Sequence, residues 1–156
     1  MEIEYLADHT SFARILAGWH YDEWHGLRDG DSVERRVEFL RAAANRRVIP
    51  TAFVALEQGE LVGSATLAEF DMETRRDLSP WLIDVFVTPP ARRRGIASAL
   101  TMRVVHEAAG LKVPKLYLFT TGPMRELLYA RLGWTVEDRP EYKGVERVLM
   151  AIWPGK

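Results

Sequence analysis

At 156 residues and with 47% apolar side chains, the chain has the size of one domain with its own core. A formal net charge of −1 excludes the broad basic surface that nucleic acids need, and the absence of cysteine excludes disulfide stapling, thiol catalysis and cysteine-based zinc sites. The N-terminus is acidic and no apolar run approaches the roughly 20 residues a bilayer requires, so no signal peptide or membrane span is expected and the chain is assigned to the cytoplasm. No linker, repeat or low-complexity segment divides it, and residues 1–156 read as a single domain.

The first predicted element is a short strand over Ile3 to Leu6, followed by Thr10 or Ser11 as the N-cap of an aromatic-rich helix that runs through Trp24. Asp31 or Ser32 caps a second helix, where Val33, Val37, Leu40 and Ala44 recur at spacings of three and four and form one apolar stripe. Thr51 to Leu56 and Leu61 to Ala68 then flank Glu57-Gln58-Gly59-Glu60. This is a hairpin signal, because Gly59 accepts the positive φ that the turn demands. Asp71 to Leu78 is polar and reads as a loop. Pro80 and Trp81 open the next strand, which ends in Val85-Phe86-Val87. A central helix from Ala97 through Leu100, Val104 and Ala108 keeps one face apolar, and Gly110 fits the left-handed position after its last turn. Lys115 to Thr120 reads as a strand, and Pro123 begins a helix containing Met124, Leu127, Leu128 and Arg131 that ends at Leu132 and Gly133. Trp134 to Val136 and Val145 to Ile152 form a closing strand pair. The order predicts an α/β sheet layered with helices.

One segment carries chemistry. Val85-Phe86-Val87 passes through Thr88-Pro89-Pro90-Ala91-Arg92-Arg93-Arg94 into Gly95-Ile96-Ala97-Ser98, a buried strand entering a helix through a basic loop. Gly95 and Ala97 let the backbone approach a ligand closely, and the free N–H groups of the first helical turn point outward with the positive end of the helix dipole. The pattern suits a phosphate group. No Gly-x-x-x-x-Gly-Lys-Ser/Thr loop and no three-glycine dinucleotide pattern is present, so kinase and dehydrogenase readings fall behind. Arg92-x-x-Gly95-x-Ala97 after a Val-Phe-Val strand resembles the acetyl-CoA signature of the GNAT superfamily of N-acetyltransferases. The element order and the later Leu127-Leu128-Tyr129-Ala130-Arg131-Leu132-Gly133-Trp134 extend the resemblance over essentially the whole chain.

The resemblance implies an α/β fold with a mixed, mostly antiparallel sheet, splayed after the fourth strand and flanked by helices. It implies acetyl-CoA as cosubstrate, with the pantetheine arm along the backbone edge of Val85, Phe86 and Val87. The pyrophosphate is then expected on the N–H groups of Arg93, Arg94, Gly95, Ile96, Ala97 and Ser98, with Arg92 at the family's glutamine-or-arginine position. Tyr129 falls where relatives carry a tyrosine that protonates the departing thiolate; its bland alternative is a packing tyrosine at the margin of the core. Where many relatives have an asparagine seven residues before that tyrosine this chain has Gly122, and Thr120 or Thr121 is the substitute.

Amine acetylation also requires a route for the amine's proton. Asp84 is the only carboxylate in the strand Trp81-Leu82-Ile83-Asp84-Val85-Phe86-Val87, and a carboxylate in an apolar strand needs a partner or a purpose. Relatives often place the base one or three positions earlier, at the positions of Ile83 and Trp81, so strand parity opposes Asp84 unless a bulge turns it into the cleft. The alternative role for Asp84 is an ion pair or a capping bond. Trp19, Tyr21, Glu23 and Trp24 fall where the resemblance places the acceptor wall, and Trp81 is counted with them; aromatic rings and an acid suit a cationic amine, although Trp19 and Trp24 also suit the core. His20 and His25 lack metal-site spacing, so no metal is expected. The expected reaction is transfer of acetyl to a primary amine of a small molecule in a ternary complex. A protein N-terminal or lysine acetyltransferase and a non-catalytic acyl-CoA sensor are the alternatives. No nucleic-acid or membrane partner is expected, and a homodimer is possible.

Overall fold

The computed structural model describes residues 1–156. Strand β1 (Glu2–Tyr5) pairs with β2 (Thr51–Glu57), which turns into β3 (Glu60–Ala68) through Gln58 and Gly59 at φ of 51° and 82°, as a type I′ turn requires. β4 (Trp81–Val87), β5 (Leu116–Thr120), β9 (Val148–Ile152) and β6 (Thr135–Asp138) complete one sheet in the order β1-β2-β3-β4-β5-β9-β6. A separate hairpin of β7 (Glu141–Tyr142) and β8 (Val145–Glu146) lies between β6 and β9 in the chain. Every neighbouring pair is antiparallel except β4 and β5.

Strand alternation distributes the core. Phe53 and Ala55 of β2 face a cluster containing Ile96, Leu100 and Val104 of α3 (Ile96–Gly110) and Tyr129 of α4 (Pro123–Arg131). Ala52, Val54 and Leu56 face the other way, onto Leu16 and Ala17 of α1 (Ala13–Trp24) and Val37 and Leu40 of α2 (Val33–Ala42). β2 is therefore buried on both faces, and each fully buried Leu or Val contributes about 1.5–3 kcal/mol of transfer free energy. Gly63 permits the local approach of β3 to its paired neighbour β4, since a Cβ there would lie 2.7 Å from the Phe86 carbonyl oxygen. No helix is long and apolar enough to cross a membrane.

Three local expectations are corrected. Thr10 and Ser11 do not cap α1; with Phe12 they form a 3₁₀ turn that runs straight into the helix, leaving its N-cap without a side-chain acceptor. Gly110 is the last residue of α3, and the left-handed conformation falls on Lys112 at φ 62°. β6 begins at Thr135 and β9 at Val148, because the β7–β8 hairpin occupies part of the segment expected to be continuous strand. Ser32 does cap α2, its hydroxyl accepting from the Arg35 N–H at 3.1 Å.

Two features of β4 position the functional site. It meets β5 at one register pair, Trp81 with Tyr117, after which the two parallel strands separate into a V. On its other edge Ser64 pairs with Phe86 and Thr66 with Ile83, so Asp84 and Val85 together oppose Ala65. That is a β-bulge, and Asp84 takes φ 54° within it.

Candidate active site

The loop before α3 is built to present backbone donors. Arg93 and Gly95 have φ of 66° and 78°, and no backbone carbonyl accepts from the N–H groups of Arg93 through Ser98. A continuous row of donors at a helix N-terminus favours an anion. A Cβ added at Gly95 would meet nothing within 4 Å, so glycine is favoured there by the positive φ and not by crowding within the chain. The three arginines diverge. Arg92 donates from Nε to the Val87 carbonyl at 2.9 Å, Arg94 pairs with Glu57 at 3.0 Å, and the Arg93 side chain is exposed.

Beside this loop the splayed strands enclose a cavity of about 510 Å³. Thr88 N–H donates to Val62 on the β3 side, so by alternation Val87 directs its N–H and C=O groups to the opposite edge of β4, where the carbonyl accepts from Arg92. Val85, Phe86, Val87, Arg92 and Ala97 line the cavity from one wall, and Thr120, Thr121 and Leu128 from the other. Tyr129 projects between them from α4, 8% exposed and edge-on to Trp134 at 6.1 Å. Burial pushes its phenol up to about 12, with the nearby Arg125 charge opposing. Tyr129 is thus both a core residue and a protonated donor at the cavity wall.

The opposite half of the cavity is a network of charges. The bulge turns Asp84 into it with a side chain only 7% exposed, and Arg36 Nη1 and His20 Nδ1 each stand 3.8 Å from its carboxylate. Arg36 spends its Nε and Nη2 on Asp31, and Arg28 holds Asp71 at 2.7 Å. Burial holds the His20 imidazole below its ordinary value although Asp84 pulls the other way, and His20 Nε2 lies 2.8 Å from the Ser64 hydroxyl. Burial also pushes the Asp71 carboxyl up to about 6 against the pull of Arg28. Burial works against the charge of Arg28, but Asp84 and Asp71 outweigh it and raise the guanidinium pKa.

Loops close this end. The Tyr142 hydroxyl donates to the Leu27 carbonyl at 2.8 Å and accepts from the Glu73 N–H at 3.2 Å, while Lys143 bridges Asp29 and Glu73. Three segments that follow α1, β3 and β6 are thereby tied together around the cavity.

Of the expected acceptor wall, Trp24 and Glu23 line the cavity, Trp24 edge-on to Phe86 at 6.1 Å. Trp81 is corrected to the core: it is 0% exposed and its indole N–H donates to Leu78. Trp19 packs on Phe86 from the α1–α2 core and Tyr21 lies against His25, and neither reaches the cavity, which meets α1 only at its last turn, at Glu23 and Trp24. Sequence reasoning missed Arg28, Arg36, Asp71, Tyr142 and Arg147. Arg36 had a legible signal, since it lies three residues after Val33 and four before Leu40, on the apolar stripe; Arg28, Asp71 and Arg147 lie in loops and Tyr142 in a two-residue strand, with no pattern to read.

A sheet opened into a V, a backbone anion site at the helix that follows, and a cavity running between the strands define an acyl-CoA-dependent transferase fold. The acetyltransferase (GNAT) family model matches residues 13–134, and the chain belongs to that family. Among solved structures it resembles yncA from Salmonella typhimurium, determined with its cofactor acetyl-CoA, at TM-score 0.78 and 15% identity over 100% of this chain and 95% of that one. Ribosomal-protein-alanine N-acetyltransferase from Brucella melitensis aligns at TM-score 0.74 and 20% identity, covering 98% of this chain and 99% of the other. Spermidine N-acetyltransferase from Vibrio cholerae, in complex with CoA and spermine, aligns at 0.72 and 19%, covering 99% and 96%. No curated protein sequence matches the chain.

Proposed function

We propose that this chain is a cytoplasmic enzyme that transfers acetyl from acetyl-CoA to a primary amine of a small molecule, by direct attack within a ternary complex. The observation that carries the reading is one cavity with two chemically different ends: unpaired backbone donors from Arg93 to Ser98 beside one, and the Asp84 carboxylate in the other, with Tyr129 on the wall between. Acetyl-CoA supplies an activated acyl group as a thioester. The N–H groups of Arg93 through Ser98 hold its pyrophosphate, and Val85 and Val87 offer the edge on which its amide arm pairs. Thr120 and Thr121 supply hydroxyls where the family's asparagine is missing. Tyr129, protonated throughout the physiological range, donates to the departing sulfur. Asp84 accepts the proton of the attacking amine, directly or through a water, and most of the rate comes from holding both reactants in one orientation.

The loop clamp around Tyr142 supports a small acceptor over a protein chain, because an extended polypeptide needs an open groove where these three loops are joined. A panel of small amines, amino acids and peptide N-termini, assayed for free CoA release, tests the reading. Turnover confined to small molecules, amines or amino acids, is expected. Turnover of peptides alone would replace it with protein acetylation, and tight acetyl-CoA binding without any turnover would replace it with a sensor.

A further inference from the structure

We propose that the acceptor is a zwitterion, an amine that also carries a carboxylate or similar anion, and that Arg147 holds the anionic group. The inference rests on the amine-acetylation reading above and specifies its substrate class. It follows from which charges around the cavity are already satisfied. Arg28 is paired with Asp71 and Arg36 with Asp31, both at 2.7 Å. Arg92 is bonded to the Val87 carbonyl and lies on the side of the phosphate loop.

Glu23 and Arg125 are also unpaired but lie exposed at the rim, so Asp84 and Arg147 are the two opposite charges on the less exposed lining that lack a hydrogen-bonded ion partner. Asp84 receives no hydrogen bond, its nearest cationic nitrogens being 3.8 Å away, and one of those belongs to a histidine that burial keeps neutral. Arg147 has no carboxylate beside it. Its only side-chain bond runs from Nε to the Tyr142 carbonyl at 3.0 Å, which fixes the side chain and leaves both terminal nitrogens as free donors. The residue is half-buried and lines the cavity, with its guanidinium 5.9 Å from the Phe119 ring.

The two groups stand on opposite walls. Asp84 belongs to β4, and Arg147 immediately precedes β9, which pairs with β5 across the V. Trp24, Leu27 and Phe119 supply apolar surface around the same space. An acceptor with its amino group at Asp84 and its anion on the Arg147 fork satisfies both charges, and a planar guanidinium with two free terminal nitrogens matches a carboxylate in bidentate geometry. A polyamine fits poorly, because a second cation on the wall opposite Asp84 meets the unpaired Arg147. The apparent suitability of the aromatic cluster for a purely cationic amine thus gives way once the loop residues are counted.

The test compares α-, β- and ω-amino acids with their carboxamides and with the corresponding decarboxylated amines, on the wild type, Arg147→Gln and Arg147→Lys. Readouts are kcat/KM from CoA release and the acceptor-dependent rise in melting temperature in the presence of CoA. The wild type should prefer an amino acid over its amide by at least tenfold, as is typical of a desolvated charge pair. Arg147→Gln should bring the ratio near one, Arg147→Lys should retain part of it, and the KM for acetyl-CoA should hold within a few-fold. Equal use of acid and amide by the wild type overturns the proposal, as does a preference that survives Arg147→Gln. If Arg147→Gln fails to fold, the wild-type ratio and Arg147→Lys decide. An amino acid that raises the melting temperature through Arg147 without turnover supports the anion site while ending the transferase reading; absence of both effects ends both.

Discussion

Tyr129 sits in an environment that favours the neutral phenol, as a proton donor to a departing sulfur requires. Tyr129→Phe keeps the ring and its contact with Trp134, so it should leave acetyl-CoA affinity within a few-fold and lower kcat by roughly ten- to a thousandfold, the range of general-acid contributions. With the phenol pushed up to about 12, the wild-type rate should show no Tyr129 limb below pH ~10, where an ordinary tyrosine begins to ionise. Equal turnover in the phenylalanine variant would remove the assignment. Asp84 is closer to a structural ion pair than its position in a strand suggests, since Arg36 and His20 flank it. Asp84→Asn is therefore expected to act twice, lowering kcat/KM for the amine at least tenfold, most at low pH, and lowering the melting temperature because Arg36 loses a compensating charge. A destabilised variant with wild-type kinetics would leave Asp84 a purely structural residue.

At the scale of elements, the turn from β4 into α3 carries the cosubstrate claim. Gly95→Val places a β-branched side chain at φ 78° in the space where a phosphate would approach. It should raise the Kd for acetyl-CoA at least tenfold in a protein that still folds, as titration calorimetry would report; an unchanged Kd would remove the phosphate-site assignment. Arg93→Ala should weaken binding by only a few-fold and reduce its salt dependence, because that side chain is exposed and screened. This segment was the most legible part of the sequence, since a backbone site needs small residues at set positions and tolerates bulky ones beside them. The bulge in β4 was less legible. Its parity warning was sound for a regular strand, and only the pairing with β3 shows the extra residue that turns Asp84 inward.

For the whole molecule, ligand binding and pH are the informative variables. Acetyl-CoA should raise the melting temperature by mass action, with a stabilisation of about 2.7 kcal/mol at a concentration a hundred times Kd. The buried histidine sets an acid limit. His20 has its pKa lowered in the folded state, so its contribution is present above the unfolded value of 6.5 and is lost as pH falls below it. Denaturant titrations should show stability falling from pH 7.5 towards 6, by no more than about 1.4 kcal/mol per pH unit from this group and with a flatter slope in His20→Asn, while below about pH 6 protonation of the raised Asp71 in the folded state works in the opposite direction. The Tyr142 clamp joins three loops at one oxygen. Tyr142→Phe should raise the acceptor KM several-fold while sparing that of acetyl-CoA, and an unchanged acceptor KM would show that the loops hold without it.

The sequence by itself determined the alternation of strands and helices, the β2–β3 hairpin, the glycine-containing turn into α3 and the place of Tyr129 in the last helix, because each depends on residues close together in the chain: apolar period, turn chemistry, a glycine before a helix. The V between β4 and β5, the inward turn of Asp84 and the removal of Trp81 to the core depend on pairings between distant segments, which no local pattern encodes. The acceptor end depended most on tertiary structure. Arg28, Asp71 and Arg147 come from loops separated by up to 119 positions, read from residues 28 and 147, and only their convergence turns ordinary surface residue types into one charged cavity.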